Sequence, residues 1–368
     1  MRFSKKNNFI FILYKERVIY NAITNDILRR AMGMSKYVKV KILLISCTYK
    51  YIEYVKEYCE GYNIEIEAKE YSKINKIDYI NNTLITHSWP ETLYNVSNIF
   101  NIKDLTIIEE VPPLYDRLKK LYVKQLVRNR ILTFPIILRF LTFKYRKTIK
   151  QAHHYIAISD EEYKVLNNYY KLKPSFISYD PIDTRFLQYN MLSRRDSIIL
   201  FGNMCNYNNF INILNRILEY IDIKRIICMN STNENKYINN IPIYTISSYK
   251  WKDIRDIYSS ALFSITMETK GSFELIPIES VCSGVPIISP EVPSVNILRN
   301  MFILDSEFPV FNYFEFINMD SDESVLKNFK KWFFNIDKNR AQFSETALYN
   351  FSMENIAKEF LNSIKRPI

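Results

Sequence analysis

The sequence predicts an α/β protein of two domains, each with a parallel sheet that helices cover on both faces. Short apolar runs alternate with helical stretches along most of the 368 residues, and this alternation is typical of parallel sheets. Most of the runs are continuous, as expected of strands that are buried on both faces. The polar stretch 187–196 separates them into two sets of similar length. We therefore expect two doubly wound domains that face a central cleft.

The strands are predicted in chain order from these runs. The first set comprises Asn8 to Tyr14, Val40 to Ser46, Asn63 to Ala68, Thr83 to His87, Asp104 to Glu110, Tyr155 to Ser159 and Ser175 to Tyr179. The second set comprises Ser197 to Gly202, Arg225 to Met229, Ile241 to Ile246, Leu262 to Thr266 and Val285 to Ser289. Helices are expected between them, among others at Ile23 to Tyr37, Asn206 to Tyr220 and Trp251 to Ser260. Ligands are expected at the carboxyl ends of the strands.

The net charge of the chain lies in one segment. Fifty basic and 39 acidic residues give a net charge of +11, and the span 117–150 holds eleven basic residues and no acidic one. The rest of the chain is therefore neutral, and we do not expect nucleic acid as the partner. Within this span, Arg117, Lys120, Lys124 and Arg128 follow a helical spacing. The stripe is either a solvated helix face or a docking surface for an anionic membrane or a lipid phosphate.

Cysteine usage and hydropathy indicate the compartment. The five cysteines are scattered and form no CxxC pair, which argues against a disulfide framework and a structural zinc site. No His, Cys and carboxylate residues share the spacing of a metal site, so no metal or other cofactor is expected. The longest apolar run, Ile131 to Phe143, is far shorter than the about 20 residues of a membrane-spanning helix. We expect a cytoplasmic protein that binds membranes peripherally or not at all.

The segment from Lys270 to Pro290 is the most informative one. It contains two of only five glycines, and it predicts a loop, a helix from Leu275 to Cys282, a turn at Gly284 and a buried strand. A glycine before a helix start lets backbone N–H groups approach an anion. Glu279 lies in this helix and could accept hydrogen bonds from sugar hydroxyls. The alternative is a helix packed on the sheet, with Glu279 solvated.

This segment resembles the donor-site signature of the family 4 glycosyltransferases, which have the GT-B fold of two Rossmann-like domains. The residues in register with the signature are Phe273, Leu275, Pro277, Ile278, Glu279, Ser283, Gly284 and Pro286. Five more segments resemble the family in the same order: AHHYIAISDEEYKVL from Ala152, SYDPIDTRF from Ser178, ILFGNM from Ile199, YKWKDIRDIYSSALFSIT before the signature, and YNFSMENIAKEFLNSI near the end. The resemblance thus extends over most of the chain.

The resemblance implies a metal-independent transfer of a sugar from a nucleotide diphosphate donor to an acceptor hydroxyl, with retention of anomeric configuration. Residues 1–190 would bind the acceptor, either a carbohydrate or a lipid-linked molecule. Residues 191–345 would bind the nucleotide sugar. Residues 346–368 would form a closing helix that crosses back to the N-terminal domain.

The resemblance also implies a donor site. Glu279 falls on the family's ribose-binding glutamate, and Phe273, Glu274 and Leu275 fall where backbone groups hold the donor sugar and phosphates. The remaining candidates are Gly202, Asn203, Lys270, Gly271 and Ser272. Three departures stand out. Gly271 replaces the first glutamate of the family's pair, and no cation follows Gly202. Lys15, Glu16 and Arg17 stand where the family has a glycine-rich loop after the first strand. Lys270 is either the substitute cation or a solvated loop lysine.

Three residues are candidates for the reaction centre. The family often places a histidine at the end of an N-domain strand, and Glu109 or Glu110 occupies that position here. A carboxylate there could position or deprotonate the acceptor hydroxyl. His87 ends the preceding strand and is either a second candidate or merely structural. Besides an active transferase, the sequence leaves two hypotheses open: a degenerate homologue that acts as a binding subunit, and a polyanion-binding protein.

Overall fold

The computed structural model divides by its contacts into two compact units. It describes residues 8–16, 22–88, 90–108, 147, 149–168, 171–190, 195–201, 208–229, 237–238, 240–246, 251–267, 275–302 and 307–364. The first unit is Met1–Pro181 with Met353–Ile368, and the second is Ile182–Ser352. The boundaries between the units thus lie after Pro181 and Ser352. The domain boundaries predicted from the sequence lie after residues 190 and 345. Leu187, in the stretch expected to link the domains, is fully buried and belongs to the second unit.

The first unit contains a seven-stranded parallel sheet. Its strands are β1 (Phe9–Tyr14), β2 (Val40–Ile45), β3 (Ile64–Lys69), β4 (Thr83–His87), β5 (Leu105–Ile108), β6 (His154–Ala157) and β7 (Phe176–Ile177). They lie in the order β3-β2-β1-β4-β5-β6-β7. The connecting helices are α1 (Ala22–Ser35), α2 (Tyr49–Tyr58), α3 (Pro90–Ile99) and α4 (Asp160–Asn168), with short 3-10 helices at Tyr71–Lys73, Lys76–Tyr79 and Ile102–Asp104.

The second unit repeats this plan. Its strands are β8 (Ser197–Phe201), β9 (Arg225–Met229), β10 (Tyr237–Ile238), β11 (Ile241–Ile246), β12 (Ala261–Ile265), β13 (Ile287–Ser289) and β14 (Val310–Asn312). They lie in the order β10-β11-β9-β8-β12-β13-β14, and β10 pairs antiparallel with β11 while the other pairs are parallel. The helices are α5 (Asn208–Leu218), α6 (Trp251–Ser259), α7 (Leu275–Cys282), α8 (Pro293–Arg299), α9 (Tyr313–Ile317), α10 (Glu323–Lys338) and α11 (Arg340–Phe351), with a 3-10 helix at Asn318–Asp320.

The last helix, α12 (Met353–Ile364), packs against α1 within the first unit. The contact is close because α1 carries Gly33 at the crossing. A Cβ atom placed on Gly33 would lie 2.1 Å from the carbonyl oxygen of Met353, well inside van der Waals contact. Only glycine therefore fits at this position of α1.

Buried ion pairs also hold α1 in place. Arg30 is 1% exposed, and its guanidinium bonds Asp26 Oδ2 at 2.6 Å, Ser178 Oγ at 2.6 Å and Asp180 Oδ1 at 3.1 Å. Burial, and then the charge of Asp26, raises the pKa of Asp180, whereas Arg30 and Arg29 oppose that rise. This network connects α1 to Ser178 and Asp180, which lie just before Pro181.

The predicted fold class of two parallel-sheet α/β domains is confirmed. The predicted strands agree with the structure apart from one to a few residues at their ends. Two short strands, β10 and β14, were not predicted. His154 begins β6, although this strand was predicted to begin at Tyr155. No helix within the described ranges is long and apolar enough to cross a membrane.

Candidate active site

Each sheet has one point at which the strand order reverses. In the first unit it lies between β1 and β4, and in the second between β8 and β12. Loops that leave the carboxyl ends of two such strands run in opposite directions and open a crevice, where ligands of doubly wound folds bind. The candidate site residues are therefore expected at the carboxyl ends of these four strands.

The signature helix α7 lies at the switch point of the second unit, because it follows β12 and leads to the parallel strand β13. Pro277 is in its first turn, where a residue without an N–H group is tolerated, since those N–H groups have no partner within the helix. Ser280 fixes the helix to the sheet, because its hydroxyl lies 2.7 Å from that of Ser264 on β12 and donates to the carbonyl of Val285 at 2.8 Å. The amino end of α7 is thus held at the carboxyl edge of the sheet.

The turn after α7 requires glycine for two reasons. Gly284 has a φ of 70°, a left-handed conformation that L side chains rarely adopt. A Cβ atom there would also lie 2.3 Å from Cδ2 of Tyr189. The N–H of Gly284 donates to the carbonyl of Val281 at 2.9 Å, and that of Val285 donates to Ser280 at 2.9 Å, so the turn closes the helix.

A buried arginine from α11 holds this turn against the sheet. Arg340 donates through Nη1 to the carbonyl of Gly284 at 2.9 Å and through Nη2 to the carbonyl of Leu262 at 2.6 Å. Its Nε lies 2.7 Å from Asp337 Oδ1, and its side chain is 3% exposed. Ser344, on the same helix, donates to the carbonyl of Cys282. Helix α11 therefore positions the carboxyl end of α7 and the start of β12.

Glu279 lies on the inner part of α7 and is 8% exposed. The alternative interpretation, in which this carboxylate is solvated, is therefore wrong. Burial, and then the charge of Glu279, raises the pKa of Cys282, which lies three residues later on the same helix, well above its usual value.

The loop residues of the predicted donor site lie outside the described residues. They are Gly202, Asn203, Lys270, Gly271, Ser272, Phe273 and Glu274. The structure describes the elements on either side of them: Phe201 ends β8, Met267 follows β12, and Leu275 begins α7 as a partly buried residue. Leu275 and Glu279 thus lie on the same helix, α7, which follows the carboxyl end of β12 in the second sheet.

At the switch point of the first unit, His87 lies beside Glu16, which was not among the predicted catalytic residues. His87 ends β4, and Glu16 follows β1 after Lys15. The distance from His87 Nε2 to Glu16 Oε1 is 3.6 Å, and the two side chains are 2% and 13% exposed. The signal available in the sequence was the position of Glu16 directly after the first strand, where the family has a glycine-rich loop.

The backbone around Glu16 is fixed by hydrogen bonds to its neighbours. Lys15 has a φ of 49° and donates its N–H to the carbonyl of Ile45 at 2.8 Å, while the N–H of Thr48 donates to the carbonyl of Glu16 at 3.3 Å. Cys47 lies nearby, but burial raises the pKa of its thiol to about 12, although a hydrogen bond with the backbone of Glu16 opposes the rise. A neutral thiol is a poor nucleophile, so Cys47 is not a candidate catalytic residue.

The other predicted catalytic residues, Glu109 and Glu110, lie outside the described residues. Ile108 ends β5 as the last described residue before them, and β5 pairs with β4 next to His87. In the described part of the chain, no group of three or more His, Cys, Asp and Glu side chains could hold a metal ion.

No family model matches the chain, and no curated protein matches it. Solved structures do match it over nearly its whole length. Against S. aureus TarM the TM-score is 0.66 at 8% identity, with 99% of both chains covered. Against Anabaena HepE in complex with UDP-glucose it is 0.60 at 10% identity, with 97% and 99% covered. Against the UDP-GlcNAc 2-epimerase of Neisseria meningitidis bound to UDP-GlcNAc it is 0.57 at 10% identity, with 97% and 99% covered. TarM and HepE are GT-B glycosyltransferases, and this chain has the GT-B fold.

Proposed function

We propose that this chain is a glycosyltransferase that moves a sugar from a nucleotide diphosphate donor to an acceptor hydroxyl. The observation that carries the proposal is the buried Glu279 on α7, at the carboxyl edge of the second sheet beside its switch point. The segment around it is the one that resembles the donor signature. The similarity to a structure that holds UDP-glucose supports a UDP-sugar as the donor.

The chemistry suits the elements that surround the proposed donor site. When the sugar leaves, negative charge develops on the β-phosphate of the nucleotide. The amino end of α7 carries a partial positive charge and free N–H groups, which stabilise such charge. Lys270 precedes this helix and is the proposed cation, while Glu279 would bind the ribose hydroxyls. We propose that the transfer retains the anomeric configuration and uses no metal ion.

The pair of His87 and Glu16 is proposed to serve the acceptor side in the first unit. An imidazole whose Nε2 lies near a carboxylate is held in orientation, and such a histidine can accept a proton from a hydroxyl. In this arrangement His87 accepts the proton of the acceptor hydroxyl, and Glu16 positions the imidazole of His87. Glu109 and Glu110 remain proposed residues of the same site.

The similarity to an epimerase favours a second candidate function. UDP-GlcNAc 2-epimerase has the same fold and acts on a nucleotide sugar without an acceptor. A third candidate is the degenerate binding subunit, which the replacement at Gly271 and the missing cation after Gly202 support. All three bind a nucleotide sugar, so they differ in product rather than in ligand.

One experiment separates them. The protein is incubated with UDP-glucose, UDP-galactose and UDP-GlcNAc in turn, and UDP release and the sugar product are followed by proton NMR. Slow release of UDP with free sugar of retained configuration supports the transferase. Inversion at C2 of the sugar supports the epimerase. If UDP binds but none of the donors yields free sugar or an epimer, the binding subunit is supported. The absence of nucleotide binding contradicts all three candidate functions.

The acceptor side includes the basic segment 117–150, which lies outside the described residues except for its end. We propose that this segment docks the protein on an anionic membrane surface, where a lipid-linked acceptor would be found. Co-sedimentation with vesicles of phosphatidylcholine, with and without phosphatidylglycerol, tests this at low and high salt. Equal recovery with both vesicles, or no change when Arg117, Lys120, Lys124 and Arg128 become Gln, contradicts it.

A further inference from the structure

The first unit contains a cavity of about 470 Å³ at the edge of its sheet opposite to His87 and Glu16. It lies at the amino ends of the strands, since its lining includes Thr83, the first residue of β4, and Asp104, which precedes β5. His153, before β6, completes this side. The volume is within the range of small-ligand sites, about 300–1,000 Å³. The cavity is thus at the opposite edge of the sheet from His87 and Glu16.

Two lysines make the mouth of the cavity positive. Lys76 and Lys103 both line it, both are exposed, and neither forms an ion pair within the described chain. One carboxylate, Asp104, lines the same cavity. The two ammonium groups are therefore available to an anionic group of a ligand, and Asp104 opposes its binding.

Tyr79 and Phe100 give the cavity no exposed aromatic face for stacking. Tyr79 and Phe100 line it, but they pack edge to face on each other at 5.5 Å between ring centroids and are 4% and 3% exposed. The hydroxyl of Tyr79 lies 3.2 Å from Lys69 Nζ. A nucleobase or another flat aromatic ligand would find no stacking surface among these residues.

The walls instead carry amides held in fixed positions. Asn101 accepts the N–H of Lys103 through Oδ1 at 3.2 Å, which directs its amide group at the turn. Asn82 donates through Nδ2 to the carbonyl of Ile80 at 3.4 Å, and Asn81 stands beside it with a φ of 70°. Amides and hydroxyls at fixed positions suit a ligand with several hydroxyl groups.

We propose that this cavity binds a sugar that carries a negatively charged group. Lys76 and Lys103 bind the anionic group, and the asparagine side chains and Thr83 bind the hydroxyls. The site is separate from the proposed donor site, which lies in the other unit, and it does not depend on the proposed transferase activity.

Isothermal titration calorimetry of the full chain at low salt tests the proposal, with glucose 6-phosphate, inorganic phosphate and glucose as separate probes. Glucose 6-phosphate is expected to bind saturably and more tightly than either other probe, and saturating UDP should leave its affinity unchanged. Equal affinity for phosphate and glucose 6-phosphate, or competition by UDP, overturns the proposal. So does the absence of saturable binding of glucose 6-phosphate.

Variants with opposite expected effects sharpen the test. The double variant Lys76→Gln/Lys103→Gln should weaken binding of glucose 6-phosphate at least about tenfold, since it removes both charge-assisted hydrogen bonds. Asp104→Asn should strengthen it about two- to threefold, because it removes a like charge at modest range. The control Lys50→Gln/Lys173→Gln replaces two exposed lysines of the same unit that do not line the cavity. Equal effects of the two double variants, or weaker binding by Asp104→Asn in a folded protein, contradict the assignment.

Discussion

Glu16 Oε1 lies 3.6 Å from Nε2 of His87, at the point where the strand order of the first sheet reverses. The two residues reach this place from β1 and β4, which are neighbours in the sheet although α1, β2, α2 and β3 separate them in the chain. A nearly buried carboxylate beside a buried imidazole is expensive unless something holds both. In the proposed function, Glu16 orients the imidazole of His87 toward an acceptor hydroxyl.

The first prediction concerns this pair. His87→Gln should lower kcat of sugar transfer at least about 100-fold, the lower range of general-base contributions, and should leave donor affinity unchanged. Glu16→Gln should lower kcat less, and the double variant should be no slower than His87→Gln, because a positioning residue acts only through its partner. Donor affinity is measured by calorimetry and kcat by UDP release.

The matched control is Glu53→Gln, which alters an exposed glutamate of the same unit paired with Lys56 on the surface. It should leave both quantities unchanged, since exposed ion pairs contribute little. Independent, multiplying effects of His87→Gln and Glu16→Gln would show that Glu16 does not act through His87. Full turnover in His87→Gln would remove the histidine from the reaction.

The second prediction concerns Glu279. Glu279→Gln preserves the size of the side chain and removes its charge, so it should weaken UDP binding by about 1.5–3 kcal/mol, the contribution of hydrogen bonds to a charged group. Because Glu279 is buried beside Cys282, thermal unfolding is measured in parallel. The exposed Glu345→Gln on α11 is the control. Unchanged UDP affinity in a folded Glu279→Gln protein would exclude this residue from the donor site.

Much of the fold was predictable because buried parallel strands leave continuous apolar runs. β9 and β11 agree with the prediction residue for residue, and so does α7. The strand β14 was not predicted, although β7 and β13, which are as short, lie in predicted runs. The division between the units was expected later in the chain because polarity alone suggested a linker, whereas Leu187 is a core residue of the second unit.

The site was less predictable because its residues meet only in three dimensions. Glu279 was selected by its resemblance to a signature, but its burial depends on how α7 lies against β12, which local sequence does not specify. Glu16 was overlooked because a charged residue after a strand usually faces solvent. The burial of Arg30 and Arg340 was not predicted, because charged side chains are seldom buried without partners. Part of what each arginine binds is distant in the chain: Asp180 for Arg30, and the carbonyl of Gly284 for Arg340.

The third prediction concerns the close crossing of α1 and α12. Gly33→Ala should destabilise the protein by about 1–3 kcal/mol, the usual cost of overpacking, because the new methyl group would meet the carbonyl of Met353. Gly61→Ala is the control: its φ is 85°, but nothing lies within 4 Å of the added atom. It should cost only the strain of a left-handed residue, about 1 kcal/mol. The free energy of unfolding in urea measures both, and an equal or smaller loss in Gly33→Ala would contradict the packing account.

The last prediction concerns His154, which begins β6 and is 3% exposed. Neither of its ring nitrogens has a hydrogen-bond partner in the described residues, and its ring packs against His153 at 4.4 Å and Phe176 at 6.1 Å between centroids. Burial, and then the charge of His153, lowers the pKa of His154 below its ordinary value. The folded protein therefore resists protonation at this site more than the unfolded chain does.

The consequence for stability has a definite sign. Above a pH of about 6.5, the ordinary pKa of histidine, His154 is neutral in both states and contributes no pH dependence. As the pH falls below that value, the unfolded chain binds a proton first, so the free energy of unfolding decreases until the lower pKa of the folded state is passed. His154→Phe keeps a ring in the same place and cannot titrate, so its melting temperature should fall less between pH 7 and pH 5.5 than that of the parent protein. His153→Gln, at the exposed neighbour, should retain most of the parent's decrease. An identical pH dependence in His154→Phe and the parent would show that the buried imidazole is not the group that responds.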